Sequence, residues 1–247
     1  MLEQNKHIIH LAGFPILEST QSELADLLHA RMKASKRSIL FFANTNFVVK
    51  CRAILPKMLN HETFIVNDGV GMDIASMLLY RRKFNANLNG TDFTPFFLNK
   101  SNAPMRVFLL GSQPEILNKA AYFLVHNLQQ VVVGSVDGYS GIQNANLDTI
   151  INEAKPDVLL VAMGNPVQEN WIMEHRDNLD VKFISGVGAL FDFWAGNKPR
   201  APLFIQKIRM EWLYRLSIEP KRLCKRYTVD ILKFLIICIA NRKKNSG

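Results

Sequence analysis

Asp157-Val158-Leu159-Leu160-Val161-Ala162-Met163-Gly164-Asn165-Pro166-Val167-Gln168-Glu169-Asn170-Trp171 is the stretch that decides the fold. Its first half is apolar without alternation, the pattern of a strand covered on both faces. Gly and Pro then break the run, and the residues to 179 are enough for a helix. Five other runs read the same way: Ser38–Ala43, Thr63–Asn67, Met105–Leu110, Gln130–Val136 and Val181–Gly186. Helical crossovers such as 113–128 fit between them. This rhythm predicts an α/β fold with a Rossmann-like, mostly parallel sheet and helices on both faces.

In parallel sheets, ligands bind beyond the carboxyl ends of the strands, so the residues after each run carry the functional information. Those residues are Asn44-Thr45-Asn46, Asp68-Gly69, Gly111-Ser112-Gln113, Asp137-Gly138-Tyr139, Gly164-Asn165-Pro166 and Gly186-Val187-Gly188. Small polar residues and glycine recur at all six, more often than helix capping requires. One crevice lined by several loops accounts for them.

Four of these turns carry groups with chemistry. Asp68, between a strand and Gly69, is placed to take a proton from a bound hydroxyl, or to act as a turn or capping residue. Gly111-Ser112-Gln113-Pro114 opens a helix whose free N–H groups suit a phosphate or a plain cap. Gln168 and Glu169 sit on a first helical turn, where they address a sugar or complement the helix dipole. Asp192, between Phe191 and Phe193, needs a partner, with Arg200 or a nucleotide ribose as candidates. No His-x-His, His-x-x-x-His or Asp-x-Asp pair occurs. Neither a metal nor a cofactor is expected.

Charge divides the chain into two parts. Residues 198–247 hold 13 of the 30 Lys and Arg but 3 of the 21 acids, whereas the first 197 residues hold 17 cations and 18 acids. The reading is an α/β catalytic domain over 1–197 and a basic amphipathic helical appendage over 198–247, suited to binding an anionic membrane surface. Arg215, Arg222 and Lys225 recur at helical spacings of seven and three, with Arg226 beside them, so the first three share a face. A solvated basic face is the plainer alternative. Trp212, Tyr214 and Tyr227 favour the membrane. The apolar run 229–240 is broken by Asp230 and Lys233 and is too short to span a bilayer. Three scattered cysteines and no secretion signal fit a peripheral protein of the cytoplasmic membrane face.

From Ile9 to Tyr227 the chain resembles the WecG/TagA/CpsF family of bacterial glycosyltransferases. The resemblance rests on Asn67-Asp68-Gly69, Asn89-Gly90-Thr91-Asp92-Phe93, Asp137-Gly138-Tyr139, Gly164-Asn165-Pro166-Val167-Gln168-Glu169-Asn170-Trp171 and Gly186-Val187-Gly188-Ala189-Leu190-Phe191-Asp192-Phe193. Arg200-Ala201-Pro202, Glu211-Trp212-Leu213-Tyr214-Arg215-Leu216 and Glu219-Pro220-Lys221-Arg222 extend it in the same order.

The resemblance implies inverting transfer of a sugar from a UDP-sugar to an undecaprenyl-diphosphate-linked sugar. It implies Asp68 as general base, with Thr45, Asn46, Asn89, Asp92, Gly111, Gln168, Gly188 and Asp192 around the substrates. It also implies Arg215, Arg222, Lys225 and Arg226 at the acceptor diphosphate and the membrane. Asn87 stands where the resemblance leads one to expect Arg, and Lys225 replaces another Arg. The expected sugar is glucose, in exopolysaccharide synthesis, with N-acetylmannosamine or its uronic acid as the alternative within the family. A nucleotide-dependent oxidoreductase lacks its Gly-x-Gly-x-x-Gly. A nucleic-acid-binding module is the non-enzymatic rival, and no nucleic-acid partner is expected. Homo-oligomerisation is left open.

Overall fold

The computed structural model describes residues 7–202, 204–205, 211–218, 220 and 228–244. One sheet has the order β1-β2-β4-β3-β8-β7-β5-β6. Its strands are β1 (His7–Leu11), β2 (Phe14–Glu18), β3 (Ser38–Ala43), β4 (Thr63–Asn67), β5 (Arg106–Gly111), β6 (Val131–Val136), β7 (Val158–Ala162) and β8 (Phe183–Gly186). Every neighbouring pair is parallel except β1 with β2. The six expected strands are all present, with ends shifted by two residues at most.

The β1–β2 hairpin is an addition. Leu11 pairs with Phe14, and the two residues between them, Ala12 and Gly13, have φ of 56° and 90°. Two left-handed residues make the primed turn that matches strand twist. Ala12 does not announce such a turn, and Pro15 deprives β2 of a ladder donor, so this hairpin was not legible as a pair of strands.

Helices cover both faces because neighbouring strand residues point to opposite sides. Ile39, Phe41 and Ala43 of β3 join a core containing residues of α2 (Thr45–Lys50), α3 (Leu55–Met58), α4 (Val70–Tyr80), α7 (Leu147–Glu153) and α8 (Val167–His175). Leu40 and Phe42 join another with α1 (Gln21–Lys33), α5 (Gly90–Asn99), α6 (Pro114–His126) and α9 (Leu190–Trp194). Each large side chain so buried contributes about 1.5–3 kcal/mol.

Helix Val229–Lys244 lies within the expected appendage, yet its inner face belongs to the first of these cores. Phe234 and Cys238, one turn apart, are fully buried there, against α2 and α4. Leu232, Ile236 and Ile239 point outward and are 62%, 65% and 42% exposed. Among the described residues, no helix is long and apolar enough to cross a membrane. Replacing Phe234 with Ala is expected to lower stability by about 3–5 kcal/mol, read by urea denaturation. A change below about 1 kcal/mol would show that the helix is not part of the core.

Candidate active site

Because β4, β3, β8, β7, β5 and β6 run in one direction, their carboxyl ends meet at one sheet edge. The loops singled out in the sequence therefore lie along that one edge. The strand order also reverses at β5, which lies between β6 and β7. A reversal of this kind opens a crevice, since successive crossovers leave toward opposite sides.

Hydrogen bonds tie these loops into a rim. Past β6, the Gly138 N–H donates to the Ser112 carbonyl at 3.0 Å, and the Ser112 N–H donates to the Ala162 carbonyl at 3.0 Å. Gly111, at the end of β5, is buried beneath this contact. The Asp137 carboxylate accepts N–H groups from Tyr139, Gly141 and Ser140. These bonds, that of Tyr139 foremost, hold it below the usual carboxylate range. A cleft of about 320 Å³ opens here between Pro114, Asn118, Ser135 and Asp137.

Gln168 carries the rim onward to β8. Its Oε1 accepts N–H from Gly164 at 3.2 Å and from Gly188 at 3.0 Å. The side chain is buried, and a Cβ on Gly186 would lie 2.8 Å from its Nε2, so a side chain there would displace the Gln168 amide. The structure thus places Gln168 behind the loops rather than at their surface.

The adjacent Glu169 is 1% exposed. Its Oε1 accepts the Gln168 amide at 2.8 Å and the Asn165 amide as well. Burial pushes this carboxyl up from 4.5 to about 7, against the lowering effect of those N–H groups. The Cys51 thiol, which ends α2, lies beside it and is itself pushed up by burial.

The other half of the edge is built around Asp68, which is half-buried. Its N–H donates to the Ala43 carbonyl at 2.7 Å, anchoring the turn to the end of β3. Asn44 caps α2 by accepting the Phe47 N–H, and its amide donates to Asp68 Oδ2 at 3.4 Å. Thr45 is buried against the first turn of α4: a Cβ on Gly71 would come within 2.3 Å of its methyl. Asn46 is half-buried on the first turn of α2. Asn87 Oδ1 accepts the Gly69 N–H at 2.6 Å, so the residue that departs from the expected Arg holds the turn after Asp68.

Asn89 and Asp92 meet as a helix cap. Asn89 accepts the Asp92 N–H and donates to its carboxylate at 2.7 Å. The cation paired with Asp92 is Arg200, at 2.6 Å. The ion-pair partner of Asp192 is accordingly Lys198, at 3.4 Å, and not Arg200. Arg215 lies on helix Glu211–Ile218, whereas Arg222, Lys225 and Arg226 lie outside the described residues. Among the described residues, no group of three or more His, Cys, Asp or Glu side chains converges. From the sequence, Glu169 reads as a group that addresses a sugar or complements the helix dipole, not as a buried carboxyl, and Cys51 reads only as one of three scattered cysteines. The signal available was a Glu next to a Gln on a helical turn facing a strand.

A carboxylate, a hydroxyl and amides gather at the strand-end edge of this mostly parallel α/β sheet. The chain belongs to the glycosyl transferase WecG/TagA/CpsF family, whose profile matches residues 9–247. It is 31% identical over 192 residues to the N-acetylglucosaminyldiphosphoundecaprenol N-acetyl-beta-D-mannosaminyltransferase of Staphylococcus aureus strain MRSA252. That alignment covers 77% of this chain and 75% of the relative. The protein of the same description from strain NCTC 8325 / PS 47 is 30% identical over the same shares. The protein is a glycosyltransferase.

The raised Glu169 carboxyl has a consequence for stability. Between about pH 4.5 and 7 the folded state holds a proton that the unfolded chain has lost, so this group makes stability fall as pH rises through that window. The penalty is absent below the window and constant above it. Glu169→Gln removes the titration. The stability of the variant relative to the parent is expected to rise by roughly 3 kcal/mol from pH 4.5 to pH 7.5, measured by urea denaturation across pH. A pH-independent difference would show that the carboxyl ionises as freely in the fold as in water.

Proposed function

We propose that the enzyme transfers N-acetylmannosamine from a UDP-sugar to an N-acetylglucosaminyl-diphosphoundecaprenol acceptor, with inversion. Glucose, the sugar favoured by sequence reading, gives way here to the alternative, because the relatives named above are N-acetylmannosaminyltransferases. The single observation that carries the reaction is the Asp68 carboxylate at the end of β4, oriented by Asn44 beside Thr45 and Asn46.

In this reading an acceptor hydroxyl gives its proton to Asp68, and its oxygen attacks the anomeric carbon. The bond from that carbon to the UDP oxygen breaks, and UDP leaves with the electron pair. A base so placed contributes about 10²–10⁴-fold in rate. Asn89, Asp92, Gly111, Gly188 and Asp192 line the same edge and serve the substrates, with Gln168 acting through the Gly164 and Gly188 loops. Backbone N–H groups of the rim and the cations Arg215, Arg222, Lys225 and Arg226 offset the diphosphate charge.

Asp68→Asn is expected to reduce transfer by about 10²–10⁴-fold with its unfolding midpoint little changed, followed as UDP release with a short-chain lipid acceptor. Near-normal turnover by the folded variant would rule out the base.

The acceptor's lipid requires the enzyme to reach a membrane surface, and the exposed faces support peripheral binding. Leu232, Ile236 and Ile239 lie outward on the helix that packs on α4, which itself exposes Ile74, Met77 and Leu78. Arg81 and Lys83, both exposed, follow α4, and Arg242, Lys243 and Lys244 follow in the tail sequence. Apolar area flanked by cations suits an anionic leaflet. A variant with Ser at 232, 236 and 239 keeps Phe234 and Cys238 in place. It is expected to lose most binding to phosphatidylglycerol vesicles in a flotation assay. Unaltered flotation would move the membrane contact elsewhere.

A further inference from the structure

Gln168 can hold the rim in only one of its two amide orientations. Its Oε1 faces two donors, the N–H groups of Gly164 and Gly188. Flipped by 180°, the side chain would turn its own NH2 toward both, and neither backbone group would be satisfied. The correct orientation needs an acceptor on the opposite side, and Glu169 Oε1 supplies it at 2.8 Å. The same oxygen takes the Asn165 amide from the turn after β7. The carboxyl is almost wholly buried, and its Oε2 has no hydrogen-bond partner among the described residues. Such a group costs stability, which a purely structural role does not explain. Through Cys51 it also touches the end of the helix that carries Thr45 and Asn46.

We propose that Glu169 is a positioning residue for glycosyl transfer. It locks the Gln168 amide so that the loops after β7 and β8 keep the shape in which they hold the sugar donor. The role rests on the donor placement proposed above. Glu169 touches no substrate and acts through Gln168. One carboxyl oxygen suffices for the lock, since both amides converge on Oε1.

The test uses the full chain with Glu169→Gln and Glu169→Ala. A glutamine can present its carbonyl oxygen to both amides, so Glu169→Gln is expected to keep kcat and the donor KM within about twofold. Glu169→Ala is expected to raise the donor KM about tenfold or more, with a smaller fall in kcat, and to speed deuterium exchange at the Gly164 and Gly188 amides by about tenfold. Exchange within β3 and β4 should stay unchanged. If Glu169→Ala does not fold, Glu169→Asp withdraws the oxygen by one methylene, and the same two amides are expected to exchange faster. Unchanged exchange at Gly164 and Gly188 in whichever variant folds overturns the lock. So does a Glu169→Gln enzyme as impaired as Glu169→Ala. Faster exchange, combined with no transfer from any UDP-sugar by the parent enzyme, upholds the lock and removes the donor reading instead.

Discussion

Two backbone N–H groups, those of Gly164 and Gly188, meet on one side-chain oxygen of Gln168, and the carboxyl-end edge of the sheet depends on that meeting. Where parallel strands end, their ladders stop and the backbone groups just beyond must find other partners. Loops that satisfy themselves with water would move independently. Here they satisfy one another, from Gly138 through Ser112 to Ala162 and, by way of Gln168, from Gly164 to Gly188. The Gln168 amide fills the space that a side chain at Gly186 would take. The edge is therefore a rigid frame, which suits a reaction that relies on holding two substrates in line.

The Asp68 side of the edge is held differently. Its bonds come from Asn44, from the Ala43 carbonyl and, at Gly69, from Asn87. The last is informative because the resemblance leads one to expect Arg at 87. A guanidinium has donors only and cannot accept the Gly69 N–H, so an Arg there would leave this turn to be held by something else and would bring a positive charge beside the carboxylate. A neutral amide keeps the turn and adds no charge beside the carboxylate. Asn87 thus shapes both the local turn and the charge around Asp68.

The tail helix is apolar on two faces. Phe234 and Cys238 seal the core over α2 and α4, the helices that follow Asn44 and Asp68, while Leu232, Ile236 and Ile239 remain outside. A helix apolar on both faces is ordinarily buried on both or solvated at a cost. Its inner face ties whatever the outer face meets to the elements that carry the proposed base.

The strands β3 to β8 and the loops after them were legible because a strand covered on both faces must be apolar throughout, and the turn that follows must be small or polar. That logic put Asp68, Thr45 and Asn46 on loops of one crevice, and the family resemblance set them in the same cleft. The hairpin β1–β2 was not legible, since Ala12 in a left-handed conformation and Pro15 in a strand follow from packing rather than from local preference. Ion-pair choice was equally hidden: Arg200 reaches Asp92 across more than a hundred residues, while Asp192 pairs with nearby Lys198. By itself the sequence determined the strands β3 to β8, their mostly parallel direction and the candidate base, all set by residue type and short-range order. Only the tertiary structure decided that Gln168 turns inward, that Glu169 is a buried carboxyl holding it there, and that the tail helix seals the core. Those depend on distances between chain segments that no local pattern encodes.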